Sequence, residues 1–142
     1  MKLPAPIVEA FNDSLDLCVA DPSFFERFYQ RFTTSSADIE RLFESVPMKR
    51  QQRALKASLY TTLMAADGNE PAIEHLRALG AVHARLGIRR EHFSLWLDCL
   101  MATVEETPAI ETTTAVQEAW RRVLEMAVEI MLEPVESASG AP

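Results

Sequence analysis

The stretch that decides the fold is LRALGAVHARLGI, Leu76 to Ile88. Read at helical spacing together with Ile73, the residues Leu76, Leu79/Gly80, His83 and Leu86/Gly87 fall on one stripe. Such a stripe normally faces a core, yet this one carries an imidazole, with a glycine about one turn to either side. Two readings are open. His83 is a core histidine satisfied by a backbone carbonyl, or it is an axial ligand to a flat apolar cofactor. In the second case one neutral ring nitrogen binds the metal while the other donates to a carbonyl, expected one turn back near Leu79. That reading also needs an opposite wall of large apolar residues carrying a polar group or two.

Working outward, the sequence supplies such a wall. A long helix opens at Pro47 and runs to about Ala66, MKRQQRALKASLYTTLMAA, stopped by Asp67-Gly68-Asn69. On it Gln51 and Leu55 share a face with Ser58/Leu59 and Thr62. An earlier helix follows the cap Asp21-Pro22 and carries SFFERFYQRF, with Phe25, Phe28/Tyr29 and Phe32 on one side. Taken alone, Tyr29 reads as a core residue with its hydroxyl tied to a carbonyl, and Gln51 as a solvated residue near a helix start. The argument rests on the combination.

The rest of the chain is helical in pattern. The first helix covers about Ile7 to Ala20, with Phe11, Leu15 and Cys18 inward, and a short helix spans Ala37 to Phe43 with Ser36 as cap. Asn69 or Glu70 with Pro71 starts the helix bearing His83, and Gly87 ends it. RREHFSLWLDCLMATVEE ends before Pro108, and the last helix covers roughly Glu111 to Leu132, with Val116, Trp120, Leu124, Ala127 and Met131 inward. Nothing reads as a strand. About seven helices form one domain over residues 1–133, and EPVESASGAP, from residue 133 on, has the composition of a frayed end, so a flexible tail is expected over 134–142.

Composition narrows the classes of function. The 142 residues are 48% hydrophobic, enough for one full core. Twenty-one acidic against fourteen basic residues leave a net charge of −7, which argues against nucleic acid or an anionic membrane as partner. No apolar run is long enough to span a bilayer, and MKLPAPIVEAFND is a poor signal peptide, so a cytoplasmic location is expected. Cys18 and Cys99 read as two free core thiols. His75, His83 and His92 lack zinc-site spacing, and neither a phosphate loop nor a nucleophile elbow is present.

With these residues in view, the chain resembles a bacterial globin, specifically the haem domain of flavohaemoglobins, from about Phe11 to Met131. The pattern LxxLGxxHxxxGI around His83 is similar to the family's proximal-histidine helix. RFYQRF places Tyr29 at the distal tyrosine, DIERLF places Phe43 at the corner phenylalanine that packs on the porphyrin, and RQQRAL places Gln51 and Leu55 at two distal positions. The resemblance implies an all-α globin fold, a three-over-three sandwich around a haem pocket. It implies haem b as cofactor, His83 as iron ligand, and Tyr29, Phe43, Gln51, Leu55, Ile88, Phe93 and Trp96 as its surroundings. Phe93 departs from the family, whose bacterial members often have a tyrosine there, hydrogen-bonded near the proximal histidine. Trp96, three residues on, is either plain core packing, an indole N–H directed into the distal pocket, or a bulky gate. Arg50, Arg53, Arg85, Arg89 and Arg90 are candidates to meet the haem propionates.

The function implied is reversible binding of oxygen and other diatomic gases (NO, CO), for scavenging, sensing or detoxification of nitric oxide. No reductase stretch lies within the 142 residues, so turnover would need a separate reductase. A haem-free globin-fold sensory or interaction module is the alternative. A peroxidase-like enzyme would want a distal base and a cation, and Gln51 is neither. No apolar stripe assigns a dimer surface.

Overall fold

A computed structural model describes residues 2–140, and all its regular structure is helical. The elements are α1 (Ala5–Ala20), α2 (Phe24–Thr33), α3 (Ala37–Phe43), α4 (Met48–Ala66), α5 (Glu70–Arg85), α6 (Arg90–Glu105) and α7 (Thr114–Gly140). Together they form the globin fold. No helix among the described residues is long and apolar enough to cross a membrane.

Local chemistry sets most of the boundaries. Ser36 Oγ accepts the Ile39 N–H at 3.1 Å and Asn69 Oδ1 accepts the Ala72 N–H at 2.9 Å, so α3 and α5 begin on side-chain caps. Gly68 and Gly87 close α4 and α5 with φ of 87° and 79°, a left-handed conformation costly for any residue with a Cβ.

Three boundaries differ from the sequence reading. Asp21 does not open α2 directly. Its carboxylate accepts the Ser23 N–H at 2.9 Å, building a turn, and the helix starts at Phe24. The last helix starts at Thr114 rather than Glu111, because Thr113 Oγ1 takes the Val116 N–H at 3.2 Å. It also continues past Leu132, through Pro134, to Gly140. Buried Val135 anchors those turns, and Arg77 of α5 reaches Glu133 at 2.9 Å while Arg90 of α6 binds Glu129 and Glu136. Helix therefore replaces the frayed end expected from residue 133 through Gly140, and Ala141 and Pro142 lie outside the described residues.

The core lies where α1, α5 and α6 meet α7, with α2 packed on α6 and α4 on α5. Trp120 is fully buried, its ring centroid 4.6 Å from that of Phe11, and its indole N–H donates to Ser14 Oγ at 2.7 Å. Cys18 and Cys99 are free and buried, and burial pushes the Cys18 thiol up to about 12.

The glycine before His83 has a steric cause. A Cβ on Gly80 would stand 2.3 Å from the Met131 carbonyl oxygen, so α5 rests directly on the backbone of α7. His83, three residues later on the same stripe, is positioned by that contact. The stripe itself changes character along its length: Ile73 and Leu76 are buried, His83 is half-buried, and Leu86 is 62% exposed. It leaves the core and becomes one lip of a cavity.

Candidate functional site

The fold leaves a cavity of about 620 Å³ between α4 on one side and α5 and α6 on the other. Tyr29, Phe43, Gln51, Leu55, His83, Ile88, Phe93 and Trp96 all line it. One wall is built by α2, α3 and α4. Phe43 stands edge-on to Tyr29 and to Phe32, with centroids 5.8 and 5.7 Å apart, and Leu55 and Leu59 are buried behind. Two polar groups of this wall, from Tyr29 and Gln51, bind one another. The Gln51 amide donates to the Tyr29 hydroxyl at 3.2 Å, and that hydroxyl donates to the Gln51 backbone carbonyl at 3.4 Å. The second bond is long for an O–H donor, hence weak. Burial pushes the Tyr29 phenol up to about 12, against the lowering effect of the Gln51 hydrogen bond, so it remains a protonated donor at neutral pH.

The facing wall carries His83. Its ring lies edge to face with Phe93, centroids 5.5 Å apart and planes 89° apart. Burial holds its pKa below the ordinary histidine range, which favours the neutral imidazole. The expected bond to a carbonyl near Leu79 is not made: Nδ1 is sealed from solvent and has no hydrogen-bond partner at all. Its aromatic neighbour on that side is the hydrocarbon ring of Phe93. The other face of His83 opens into the cavity.

These residues fit haem. The cavity is largely apolar, a neutral imidazole projects from one wall, and the facing wall carries the polar side chains of Tyr29 and Gln51. Its mouth is apolar as well, since Leu42, Val82 and Leu86 are exposed at 37%, 42% and 62% and line the same cavity. A flat hydrophobic group seated in the slot would cover their apolar surface.

Among the cations proposed for propionates, Arg90 is committed to Glu129 and Glu136 on α7, and Arg89 pairs with Glu91 at 3.1 Å. Arg50, Arg53 and Arg85 are exposed and make no ion pair among the described residues.

Sequence reading missed several lining residues. Leu42, Val82 and Leu86 look like ordinary core leucines and valines in a helical pattern. His92, at the start of α6, also lines the cavity. Its Nδ1 accepts the Arg89 N–H at 2.9 Å, and its Nε2 lies 3.9 Å from Asp38. The Arg89-to-His92 spacing of a helix cap was the available signal. His75 lines the cavity as well.

Comparisons with known proteins place the fold in a family. The Globin family model matches residues 25–131. A flavohemoprotein of Bacillus cereus is 28% identical over 117 residues, covering 80% of this chain and 29% of that protein. A flavohemoprotein of Halalkalibacterium halodurans is 25% identical over 123 residues, covering 82% and 30%. The chain thus spans about three tenths of the length of these relatives. A crystal structure from Pseudomonas aeruginosa PAO1, of a protein described as structurally highly homologous to a human hemoglobin, superposes with a TM-score of 0.83. It shares 33% identity, over 88% of this chain and 95% of that one. With its fold and three quarters of its length matched, the chain belongs to the globin family.

Proposed function

We propose that the cavity binds haem b through His83 and that the protein reversibly binds oxygen and other diatomic gases, nitric oxide and carbon monoxide among them. The observation that carries this reading is the opposition, across one apolar cavity, of an unpartnered imidazole and a tyrosine–glutamine pair.

Haem, when bound, would supply the iron that takes up the gas. The chain's own residues do the rest. His83 holds the group through the nitrogen facing the cavity, and Phe43, Leu55, Ile88 and Phe93 exclude water from its faces. The Tyr29 hydroxyl turns readily from the Gln51 carbonyl, because that bond is weak, and with the Gln51 amide presents donors to a ligand carrying negative charge on its outer atom. A hydrogen bond to a charged acceptor contributes about 1.5–3 kcal/mol, roughly tenfold to a hundredfold in affinity per donor. Two such donors favour slow release of oxygen, which suits scavenging, sensing or nitric-oxide chemistry better than bulk delivery. Repeated conversion of nitric oxide and oxygen to nitrate would take electrons from a separate reductase, the role we assign to a partner protein.

Absorption spectra of hemin-loaded protein in the ferric, ferrous and carbon-monoxide forms test the reading. A strong Soret band that shifts on reduction and again with carbon monoxide is expected. Protein that stays colourless after hemin is added would support the haem-free module instead.

A further inference from the structure

We infer that the strip of cations along α4, with Arg85 beside it on α5, is a docking surface for an acidic electron-transfer protein. The inference rests on the haem reading above and deepens it, since it places the reductase to which that reading gives a role. It concerns binding alone and adds no chemical step.

The chain has a net charge of −7, yet the 19 residues of α4 include no acid and carry Lys49, Arg50, Arg53 and Lys56 in their first half. All four are exposed, as is Arg85 at the end of α5. None of the five makes an ion pair among the described residues, whereas every other cation except Arg122 is paired with a carboxylate. The clustering is locally unfavourable. Lys49 stands four residues before Arg53, while Arg50 and Lys56 lie three residues to either side of it, and like charges at those spacings repel on a helix. The start of α4 also bears the positive end of the helix dipole, with no side-chain cap and no acid in its first turn. Unpaired charge of one sign, gathered on one element against the net sign of the chain, is a surface suited to a partner of opposite sign.

Position says which acidic partner fits. Ala54 and Ala57 of α4 and Val82 and Leu86 of α5 line the cavity and are exposed. Arg50 and Arg53 precede the two alanines by one helical turn, and Arg85 adjoins Leu86, so the cations border the cavity's apolar lip. A protein seated there would find an apolar centre with a charged rim, the anatomy of a specific contact. It would also approach the cavity as closely as two alanine methyls allow, which is the nearness that electron transfer needs. The two carboxylates of a haem would occupy at most two of the five cations and leave the rest for the partner. A membrane or a nucleic acid fits less well. Lying along the surface, an extended polyanion would also meet Glu40 and Glu44, exposed on α3 and just before α4, whereas a compact protein can touch the strip alone.

The test titrates the hemin-loaded full-length protein with a purified flavodoxin, a small acidic flavin protein, and follows binding by calorimetry. Salt is raised from roughly 0.01 M to roughly 1 M, over which the screening length shrinks from about 30 Å to about 3 Å. The dissociation constant should rise at least about tenfold across that range. At low salt it should rise by at least about the same factor in Lys49→Glu/Lys56→Glu, a double variant that spares the arginines considered for propionates. Arg122→Glu, an unpaired cation on α7, serves as the control and should leave binding within about twofold of wild type. No binding at low salt, binding indifferent to salt, or equal losses in the double variant and the control would each overturn the inference. So would tighter binding to phosphatidylglycerol vesicles or to a DNA duplex than to flavodoxin. Failure of the haem reading looks different: the protein would stay colourless after hemin is added, while calorimetry would still read charge-dependent docking on the same chain.

Discussion

The two walls of the cavity solve the same problem in opposite ways. On the side of α2 and α4, the polar groups close on each other: the Gln51 amide, the Tyr29 hydroxyl and the Gln51 carbonyl form a self-contained pair. On the side of α5 and α6, the His83 imidazole stands against Phe93 with one nitrogen sealed and unpartnered and the other facing the open slot. A buried polar group without a hydrogen bond costs about 1–3 kcal/mol. One wall thus needs nothing added to be stable, whereas the other carries that cost at Nδ1 and turns its second nitrogen to the slot. The comparison teaches where the site's function concentrates, in the polar residue that the rest of the fold leaves unsatisfied.

That contrast can be broken most forcefully from behind the His83 wall. Gly80→Val would drive a branched side chain into the Met131 backbone, which cannot give way as a side-chain tip can. Overpacking of this kind costs roughly 1–3 kcal/mol and occasionally more. We expect a value at the top of that range in urea unfolding, with hemin uptake weakened because α5 is displaced.

The facing wall should respond in kinetics rather than in stability. Tyr29→Phe keeps the ring against Phe43 and removes the donor, so oxygen dissociation measured by stopped flow should speed up at least tenfold while hemin affinity stays near wild type. An unchanged rate would remove Tyr29 from the site and erase the contrast. Gln51→Leu loses an amide but leaves the tyrosine free to turn, and a smaller acceleration is expected.

A control away from both walls sharpens the reading. Ser14→Ala strands the Trp120 indole N–H in the core, at about 1–3 kcal/mol of stability, with gas binding unaltered. The smallest effect concerns Glu106, which Arg31 and Arg27 hold below the usual carboxylate range. Because its pKa is lower folded than unfolded, its contribution is complete above the unfolded value and is lost as pH falls through the folded one. Solvent screens the pair, so Glu106→Gln should change stability at neutral pH by less than about 1 kcal/mol, and the difference should vanish in acid.

Much of this was legible in the sequence, and what was not has identifiable causes. Ile73, Leu76, Gly80 and His83 announced themselves because a period of 3.6 residues puts them on one stripe, and the caps Ser36 and Asn69 are strictly local signals. Leu86 was not separable from a core leucine, since a lip and a core present the same residue type at the same spacing, and only the three-dimensional end of α5 tells them apart. The last turns of α7 were hidden by Pro134 and by Ser, Ala and Gly residues of low apolar content. What holds them is buried Val135 and the reach of Arg77 and Arg90 from elements far off in sequence. The isolation of His83 Nδ1 was beyond sequence reading altogether. The expectation of a carbonyl near Leu79 was chemically sound, and the structure shows no such bond.

The central claim is that His83 holds the cofactor. Its most direct test is a hemin titration of the wild-type protein beside His83→Ala, followed by absorbance. The account predicts saturation near one hemin per chain for the wild type, and for the alanine variant an affinity at least about a hundredfold lower, with the carbon-monoxide spectrum of an iron lacking its histidine. Equal binding with unaltered spectra in both proteins would contradict it.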